Sequence, residues 1–204
     1  MKFIGITGGV GAGKSELLHY IEEQYPAKIL LADEVAHVLM KKGTDCYRQI
    51  RETFAGEDLY TTDGEFDRKK LAEVIFQDES CREKINGIVH PAVKQEILNQ
   101  VEQERNKGQI SYFILEAALL IEDGYDKICD ELWYIHTTEE VRRKRLKESR
   151  GYPDAKIDAI LKSQLPEEVY RRYCSVIIEN SGTLEDTFCQ IRQAFAADGS
   201  SQTR

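Results

Sequence analysis

The stretch GGVGAGKS (Gly8–Ser15) decides the fold that this sequence predicts. It has the spacing G-x-x-x-x-G-K-[S/T], in which glycines let backbone N–H groups approach phosphates, the lysine reaches the β- and γ-phosphates, and the hydroxyl binds Mg²⁺. The apolar run KFIGIT precedes it, and the amphipathic run KSELLHYIEEQY follows it until Pro26. A strand, a glycine turn and a helix in that order are the structural context that this motif requires.

The candidate nucleotide-binding residues are the whole of this loop. They are Gly8, Gly9, Val10, Gly11, Ala12, Gly13, Lys14 and Ser15. Ser15 is in addition the candidate ligand for Mg²⁺, because a hydroxyl at the end of this motif coordinates that ion.

Further apolar runs continue the pattern of KFIGIT along the chain. They are Ala27–Ala32, Ile110–Leu115, Glu131–His136 and Ser175–Glu179. Helical patterns separate them, and this alternation predicts an α/β fold with a parallel sheet flanked by helices, of the phosphate-loop NTPase type. Two helical segments interrupt the alternation, and we expect them to lie over the carboxyl edge of the sheet, where ligands bind in open α/β folds. The predicted core comprises residues 1–33, 90–140 and 174–204, with an insertion at 34–89 and a small helical lid at 141–173.

Composition excludes several classes of protein. The 204 residues carry a net charge of −8, which argues against nucleic acid as a partner because phosphate backbones are bound mainly by Lys and Arg. No apolar run approaches the roughly 18 residues of a membrane span, and the N-terminus does not resemble a signal peptide. The five cysteines are scattered and form no C-x-x-C pair, which is typical of reduced thiols. We therefore expect a cytoplasmic protein without a membrane partner.

The motifs of two other phosphate-loop classes are absent from the sequence. No Asp is followed by Gly at the third position, as the D-x-x-G of switch GTPases requires, and the N-K at Asn106 lacks the final Asp of N-K-x-D. The L-S-G-G-Q signature of transport ATPases is also missing. A small-molecule kinase remains, and it needs a base, a carboxylate near Mg²⁺ and basic residues that close over the phosphates.

Asp33 is the candidate catalytic base. It directly follows the apolar run ILLA, so it is expected at the carboxyl end of the second strand, where a carboxylate can accept the proton of an attacking hydroxyl. The alternative is that Asp33 caps the helix that follows, since Asp is a favoured N-cap residue. Position alone does not separate the two roles.

Glu116 is the candidate carboxylate for the metal. It ends another predicted strand, as the acid that supports Mg²⁺ does in this fold, and Glu122 follows a few residues later. Either residue is alternatively a solvated surface acid, and the position of Glu116 at the strand end favours it over Glu122.

A basic helix follows the strand ELWYIH. Thr137 and Glu140 have the spacing of a capping box at its start, and the helix carries a run of cations from Arg142 to Arg150. Arg142 and Arg145 share one helix face. Such a run is usually a solvated face, but behind a phosphate-loop core it also fits a lid whose arginines neutralise the transferring phosphoryl group. RNA binding is a third possibility, which the acidic remainder of the chain disfavours.

Taken together, these segments resemble the dephospho-CoA kinase family. The matching segments, in order, are IGITGGVGAGKS, LADEVAHVL, DGEFDRKKL, INGIVHPAV, EAALLIE, RRKRLKESR and VIIENSG. The resemblance extends from Ile4 to about Gly182. The loop alone is common to many kinases, whereas its combination with D-G-x-x-D-R, with the H-P pair and with the late I-x-N-x-G is far more specific.

The resemblance implies transfer of the ATP γ-phosphate to the ribose 3′-hydroxyl of dephospho-CoA, with Mg²⁺ as cofactor. It implies Asp33, Lys14 and Arg145 as catalytic residues, which favours the base over the cap for Asp33. It also places Asn180 near the adenine, and His90, Glu116 and Arg150 at the acceptor. The insertion at 34–89 would bind the acceptor, and the protein would be a monomer or a weak homo-oligomer. The remaining alternatives are a kinase for another nucleoside or nucleotide and a regulatory protein that binds ATP without turnover.

The sequence departs from the family pattern at several positions. Glu116 replaces a commoner Asp, Ala118 a Pro, Arg142 a frequent Gln, His37 an Arg and Ser175 an Asp. The substitution at His37 leaves open how the insertion holds the acceptor, but none of these changes removes a group that the chemistry requires.

Overall fold

Two compact units make up the part of the chain that the computed structural model describes, residues 1–56, 59–197 and 199. The first unit contains Met1–Leu30 and Glu104–Arg204, and the second is the continuous segment Leu31–Gln103. The segment expected to form a lid, 141–173, belongs to the first unit in this division. The end of the predicted core, residues 198 and 200–204, lies outside the described residues.

One five-stranded sheet organises the first unit. Its strands are β1 (Lys2–Thr7), β2 (Ala27–Leu31), β3 (Tyr112–Glu116), β4 (Glu131–His136) and β5 (Val176–Glu179), in the spatial order β2-β3-β1-β4-β5. Strand β1 pairs in parallel with β3 and β4, and β4 pairs in parallel with β5. Because helices cover a parallel sheet on both faces, its strands are continuous apolar runs, and β1 is buried from Phe3 to Thr7. The predicted α/β fold is confirmed, although β3 begins at Tyr112 rather than Ile110.

The helices alternate with these strands along the chain. They are α1 (Lys14–Gln24), α2 (Ala32–Leu39), α3 (Asp45–Thr53), α4 (Arg68–Gln77), α5 (Glu79–Lys107), α6 (Glu139–Arg150), α7 (Asp154–Lys162), α8 (Glu167–Tyr173) and α9 (Leu184–Ala197). A short 3₁₀ turn spans Tyr125–Lys127. Among the described residues no helix combines the length and the apolar character that crossing a membrane requires.

An aromatic cluster joins α9 to the sheet in the first unit. Helix α9 buries Thr187, Ile191 and Phe195, which recur every four residues and so lie on one face. The Phe195 ring centre lies 4.1 Å from that of Tyr25, 4.5 Å from that of Tyr112 and 4.9 Å from that of Trp133. This packing fixes the helix that follows β5, and with it the loop between them.

Helix α5 runs through Pro91 without ending. Proline disfavours helical geometry in the residue before it, so His90-Pro91 would be expected to break a long helix, and the structure shows no break there. Proline removes one backbone hydrogen bond, but the helix buries an apolar residue at every fourth position on both sides of it. These residues are Ile85, Val89, Val93, Ile97 and Val101. Their burial keeps the segment helical despite the missing bond.

A tight turn orders the middle of the second unit. The turn comprises Thr62-Asp63-Gly64: the Gly64 N–H donates to the Thr61 carbonyl at 2.9 Å, and the flanking residues Tyr60 and Phe66 form an antiparallel bridge. The rings of Tyr60 and Phe66 pack on Tyr47 of α3, with ring centres 6.1 Å and 5.0 Å away. The aromatic contacts attach the turn to α3.

Candidate active site

The loop Gly8–Gly13 connects β1 to α1, as the motif predicts. Gly11 and Gly13 have φ angles of 84° and 85°, a left-handed backbone that glycine adopts without strain. At Gly9 a Cβ would lie 2.4 Å from Cζ of Arg142, which shows that this guanidinium packs directly on the loop backbone. Strand β4 packs closely on the loop backbone at Gly8, where a Cβ would lie 2.6 Å from the Ile135 carbonyl oxygen. The glycines therefore give the loop its turn and let neighbouring elements pack directly on its backbone.

Lys14 and Glu116 meet at the start of the loop. The Lys14 Nζ donates to the Gly8 carbonyl at 2.7 Å and lies 3.3 Å from Glu116 Oε1. Glu116 reaches this point because it ends β3 and stands in register with Ile6 of β1, just before the loop. The predicted position of Glu116 at the end of a strand is confirmed, whereas Glu122 lies exposed in the turn that follows.

The oxygen atoms near the loop suit a magnesium ion. Ser15 supplies a hydroxyl in the first turn of α1, and Glu116 supplies a carboxylate at the end of β3. No cluster of three or more His, Cys, Asp or Glu side chains that could hold a metal occurs among the described residues. Mg²⁺ typically takes one or two protein oxygens and completes its shell with water and substrate phosphates, so this sparse donor set fits the ion.

Three side chains donate to one carbonyl oxygen of the loop, that of Ala12. Asn180 Nδ2 lies at 2.7 Å, Thr137 Oγ1 at 3.0 Å and Arg145 Nη1 at 3.2 Å. Arg145 also donates through Nη2 to the carbonyl of Asn180 at 2.9 Å. These bonds join the far end of the loop to β4, to α6 and to the segment after β5.

Asn180 is held on every side. It is 1% exposed, its N–H donates to the His136 carbonyl at 2.8 Å, and its Oδ1 accepts from Thr187 of α9 at 3.0 Å. The amide therefore has one orientation, with its nitrogen on the loop and its oxygen on α9. Asn180 therefore lies beside the loop, and its role at the adenine stays a prediction.

The capping box expected from Thr137 and Glu140 is wrong. Helix α6 has Thr138 as its N-cap residue, without a capping bond from that side chain. The backbone N–H of Thr138 donates instead to Ser181 Oγ at 3.0 Å. Thr137 is 4% exposed and uses its hydroxyl on Ala12. The groups expected to form the capping box thus bond to Ala12 and Ser181, which are distant in the sequence. No spacing in the sequence indicates these tertiary bonds.

His136 lies between two carboxylates at the end of β4. Its Nδ1 is 2.5 Å from Glu179 Oε2, and its Nε2 is 3.3 Å from Glu167 Oε2. Partial burial raises the pKa of Glu179, but hydrogen bonds from Ser181 and His136 outweigh it and hold that pKa below its ordinary value. His136, Glu167 and Glu179 thus connect β4, α8 and β5 beside the loop. No motif in the sequence indicates this cluster.

Arg142 contacts the other end of the loop. Its Nε donates to the Val10 carbonyl at 3.0 Å, and its Nη2 donates to Gln164 Oε1. It lines a cavity of about 440 Å³ together with Gly9, Gln164, Tyr134 and other residues of β4, α6 and α8. Burial lowers the pKa of the Arg142 guanidinium and raises the pKa of Tyr134 to about 12. The predicted shared face of Arg142 and Arg145 is thus the face that meets the loop.

Arg150 is the last residue of α6 and is exposed. Its guanidinium carbon lies 5.9 Å from the ring centre of Tyr152.

Asp33 and His90 belong to the second unit. Asp33 is exposed in the first turn of α2, whose N-cap residue is Leu31 without a side-chain capping bond. The alternative that Asp33 caps this helix is therefore wrong. Asp33 lines a cavity of about 510 Å³ with His37, Lys41 and Phe66, all of the same unit. His90 is half-buried in the middle of α5.

Comparison with known proteins gives a consistent result. The family model described as dephospho-CoA kinase (CoaE) matches residues 2–186. A dephospho-CoA kinase of Aquifex aeolicus is 35% identical over 195 residues, covering 96% of this chain and 96% of its own. One of Idiomarina loihiensis is 34% identical over 190 residues, covering 93% and 91%.

Solved structures show the same fold. The protein TT1252 of Thermus thermophilus superposes with a TM-score of 0.81 at 24% identity and covers 98% of both chains. The dephospho-CoA kinase of Campylobacter jejuni gives a TM-score of 0.71 at 21% identity, covering 97% of this chain and 98% of its own. A shikimate kinase of Acinetobacter baumannii gives 0.54 at 13% identity, covering 98% and 96%. At these identities the likeness concerns the fold alone.

Proposed function

Because the chain belongs to the dephospho-CoA kinase family, we propose that it transfers the γ-phosphate of ATP to the ribose 3′-hydroxyl of dephospho-CoA, forming CoA and ADP. The observation that carries the proposal is the convergence of Lys14, Glu116 and Arg145 on the loop Gly8–Ser15. A loop that only binds a nucleotide needs the glycines and the lysine, whereas transfer also needs cations that neutralise the charge on the phosphates during the reaction.

The donor half of the reaction belongs to the first unit. Backbone N–H groups of the loop and the N-terminus of α1 hold the β-phosphate, which the positive end of the helix dipole favours. Lys14 turns from Gly8 and Glu116 to the β- and γ-phosphates, and Arg145 neutralises charge from the opposite side. Asn180, fixed at the same end of the loop, lies where the adenosine end of ATP would enter.

Ser15 and Glu116 are the residues that would hold Mg²⁺. When it is bound, this ion neutralises charge on the β- and γ-phosphates. Ser15 contributes its hydroxyl, and the Glu116 carboxylate, released by Lys14, becomes available as a second ligand.

Asp33 is the base in this proposal. Its carboxylate takes the proton of the 3′-hydroxyl as that oxygen bonds to the γ-phosphorus, while the bond from the γ-phosphorus to the bridging oxygen breaks and ADP leaves. Its position supports the role: it is exposed, does not cap α2, and lines a cavity of about 510 Å³. The acceptor therefore occupies the second unit, which contains the whole of the predicted insertion 34–89.

The remaining parts of the proposal rest on composition and charge and on the family resemblance. Segment 141–173 is the lid, and His90 and Arg150 contact the acceptor. The protein works in the cytoplasm as a monomer or weak homo-oligomer, with no nucleic acid partner.

An acceptor panel tests the function. Purified protein with ATP and Mg²⁺ is given dephospho-CoA, nucleoside monophosphates, adenosine or shikimate, and ADP and phosphorylated product are measured. We expect ADP and CoA in equal amounts with dephospho-CoA and turnover at least about 100-fold lower with the others, a discrimination that enzymes reach by differential transition-state binding. Preferred turnover of another acceptor contradicts the substrate, and saturable ATP binding without ADP from any acceptor indicates a regulatory protein.

A further inference from the structure

The two arginines on the inner face of α6 contact opposite ends of the phosphate loop. Arg145 donates to the Ala12 carbonyl and lies against Gly13, where a Cβ would be 3.1 Å from its Nη1. Arg142 donates to the Val10 carbonyl and lies against Gly9. Residues three apart on a helix are neighbours on one face, so α6 places one guanidinium at each end of the phosphate loop.

The end that Arg142 contacts is also the end where the Lys14 amine lies. Lys14 Nζ donates to the carbonyl of Gly8, the residue before Gly9. In loops of this type the lysine amine serves the β- and γ-phosphates, and the start of the helix serves the β-phosphate. The start of the loop is therefore the end at which the γ-phosphate is held, and the Ala12–Gly13 end lies toward the rest of the nucleotide.

The guanidinium of Arg142 is held by neutral oxygens. The hydrogen bonds that the structure gives it go to the Val10 carbonyl and to the Gln164 side chain. These two bonds use fewer N–H donors than a guanidinium carries. In the part of the chain that the structure describes, no carboxylate is hydrogen-bonded to this half-buried guanidinium. Burial of such a cation is costly in free energy, and an anion placed beside it offsets part of that cost.

The carboxylates that line the same cavity are bonded to other cations. Glu139 Oε1 accepts from Arg143 Nε at 2.7 Å. Glu167 Oε1 accepts from Arg171 at 2.6 Å, and its Oε2 pairs with His136. The positive charge of Arg142 is thus left facing the cavity of about 440 Å³ that Gly9 also lines.

We propose that Arg142 binds the γ-phosphate of ATP and makes the loop prefer ATP to ADP. Its guanidinium keeps the bond to Gln164, which positions it, and donates from the remaining N–H groups to a γ-phosphate oxygen. Arg145 binds the phosphates that ATP and ADP share. The proposal rests on ATP as the phosphate donor of the proposed function, and it does not depend on the acceptor. Arg142 occupies a position where Gln is frequent in the family, so the preference is a property of this chain.

Nucleotide titrations on the full-length protein with Mg²⁺ test the proposal. We compare the dissociation constants of ATP and ADP for the wild type, Arg142→Gln, Arg142→Lys and the control Lys147→Gln. Lys147 belongs to the same helix and pairs with Asp154, so its loss removes a charge of the same sign without affecting the loop or the carboxylates of this cavity. We expect Arg142→Gln to weaken ATP binding about tenfold and ADP binding less than about twofold, as removal of one charge-assisted bond predicts.

The other variants sharpen the result. Lys147→Gln should leave both constants within about twofold, and Arg142→Lys should keep part of the ATP preference because it retains the charge without the planar fork. Equal weakening of ATP and ADP by both Arg142 variants, or no weakening by either, overturns the proposal. Should Arg142→Gln fail to fold, a wild-type ATP-to-ADP ratio in Arg142→Lys together with unchanged turnover also overturns it. If the wild type makes no CoA but Arg142→Gln still loses ATP affinity selectively, the acceptor assignment is contradicted and this proposal stands.

Discussion

The carbonyl oxygen of Ala12 and the Cα of Gly13 show how single atoms determine the candidate site. The carbonyl accepts from Arg145 of α6 and from the residues that directly follow β4 and β5, and the residue after Ala12 must lack a side chain so that these donors can approach. A Cβ on Gly13 would lie 2.6 Å from Asn180 Nδ2, which is fixed by bonds to Ala12 and Thr187. The loop is thus held at this end by a contact that only glycine permits.

Gly13→Ala should weaken ATP binding. The new methyl group would displace the Asn180 amide and disturb Arg145, in addition to the cost of a positive φ, which is about 1–2 kcal/mol per non-glycine residue. We expect the dissociation constant of ATP to rise about tenfold or more, measured by calorimetric titration, with a lower Tm.

Gly108→Ala is the matched control for this change. Gly108 also has a positive φ, 63°, in the same unit, but a Cβ there would meet nothing within 4 Å. It should lower the Tm by a similar backbone cost and leave ATP affinity unchanged. If both variants bind ATP equally well, the contact with Asn180 and Arg145 has no role in nucleotide binding.

At the scale of elements, helix α6 determines the geometry of the donor site. Its inner face presents Arg142 and Arg145 to the loop, and its outer face presents cations that pair with carboxylates, such as Arg143 with Asp158 at 2.6 Å and Lys147 with Asp154 at 2.7 Å. The cations of α6 therefore form two groups: those on the inner face contact the phosphate loop, and those on the outer face pair with carboxylates at the surface. Only the inner one fits the function expected of a lid.

Arg145→Lys should reduce the affinity for ATP and ADP alike. Lysine retains the charge but cannot donate in parallel to the Ala12 and Asn180 carbonyls, as the guanidinium does at 3.2 Å and 2.9 Å. We expect both dissociation constants to rise about tenfold and kcat/KM to fall by a similar factor or more, because a charge-assisted contact is lost.

The control for this prediction is Arg143→Lys on the outer face of the same helix, which should leave all three quantities within about twofold. A variant Arg145→Lys that loses ATP affinity alone, with ADP unaffected, contradicts the assignment of Arg145 to the phosphates that both nucleotides share.

At the scale of the whole molecule, the two units divide the chemistry between them. The phosphate loop, Glu116 and Arg145 belong to the first unit, and Asp33 with its cavity belongs to the second. A transfer reaction can be divided in this way, because the donor site and the acceptor base need to meet only when both substrates are bound. This division predicts that a substitution in the second unit can lower turnover without changing the affinity of the first unit for ATP.

Asp33→Asn should abolish most of the turnover while ATP binding survives. Loss of a general base lowers kcat by roughly 10²–10⁴-fold, and the loop that binds ATP lies in the other unit. CoA formation by coupled assay and ATP titration measure the two quantities.

Glu34→Gln is the control, since Glu34 is the neighbouring exposed acid on the same helix. We expect its turnover to stay within about threefold of the wild type. Near-normal kcat in Asp33→Asn, or equal losses in both variants, would remove Asp33 from the role of base.

The sequence by itself determined the features that depend on neighbouring residues. Gly8–Ser15 predicts a phosphate loop because its chemistry lies within one turn of chain, and the strands were predicted because burial on both faces of a parallel sheet makes each a short apolar run. Glu116 was placed correctly because the end of a strand is a local feature.

Only the tertiary structure decided which distant side chains meet the loop. Thr137 has the spacing of a cap but bonds Ala12, Arg142 is held by Gln164, and Pro91 lies within a helix that apolar packing maintains. The order β2-β3-β1-β4-β5 brings the ends of β3, β4 and β5 to the loop from far along the chain. No spacing in the sequence records that order, because the energy that selects it comes from packing between elements and not from any one of them.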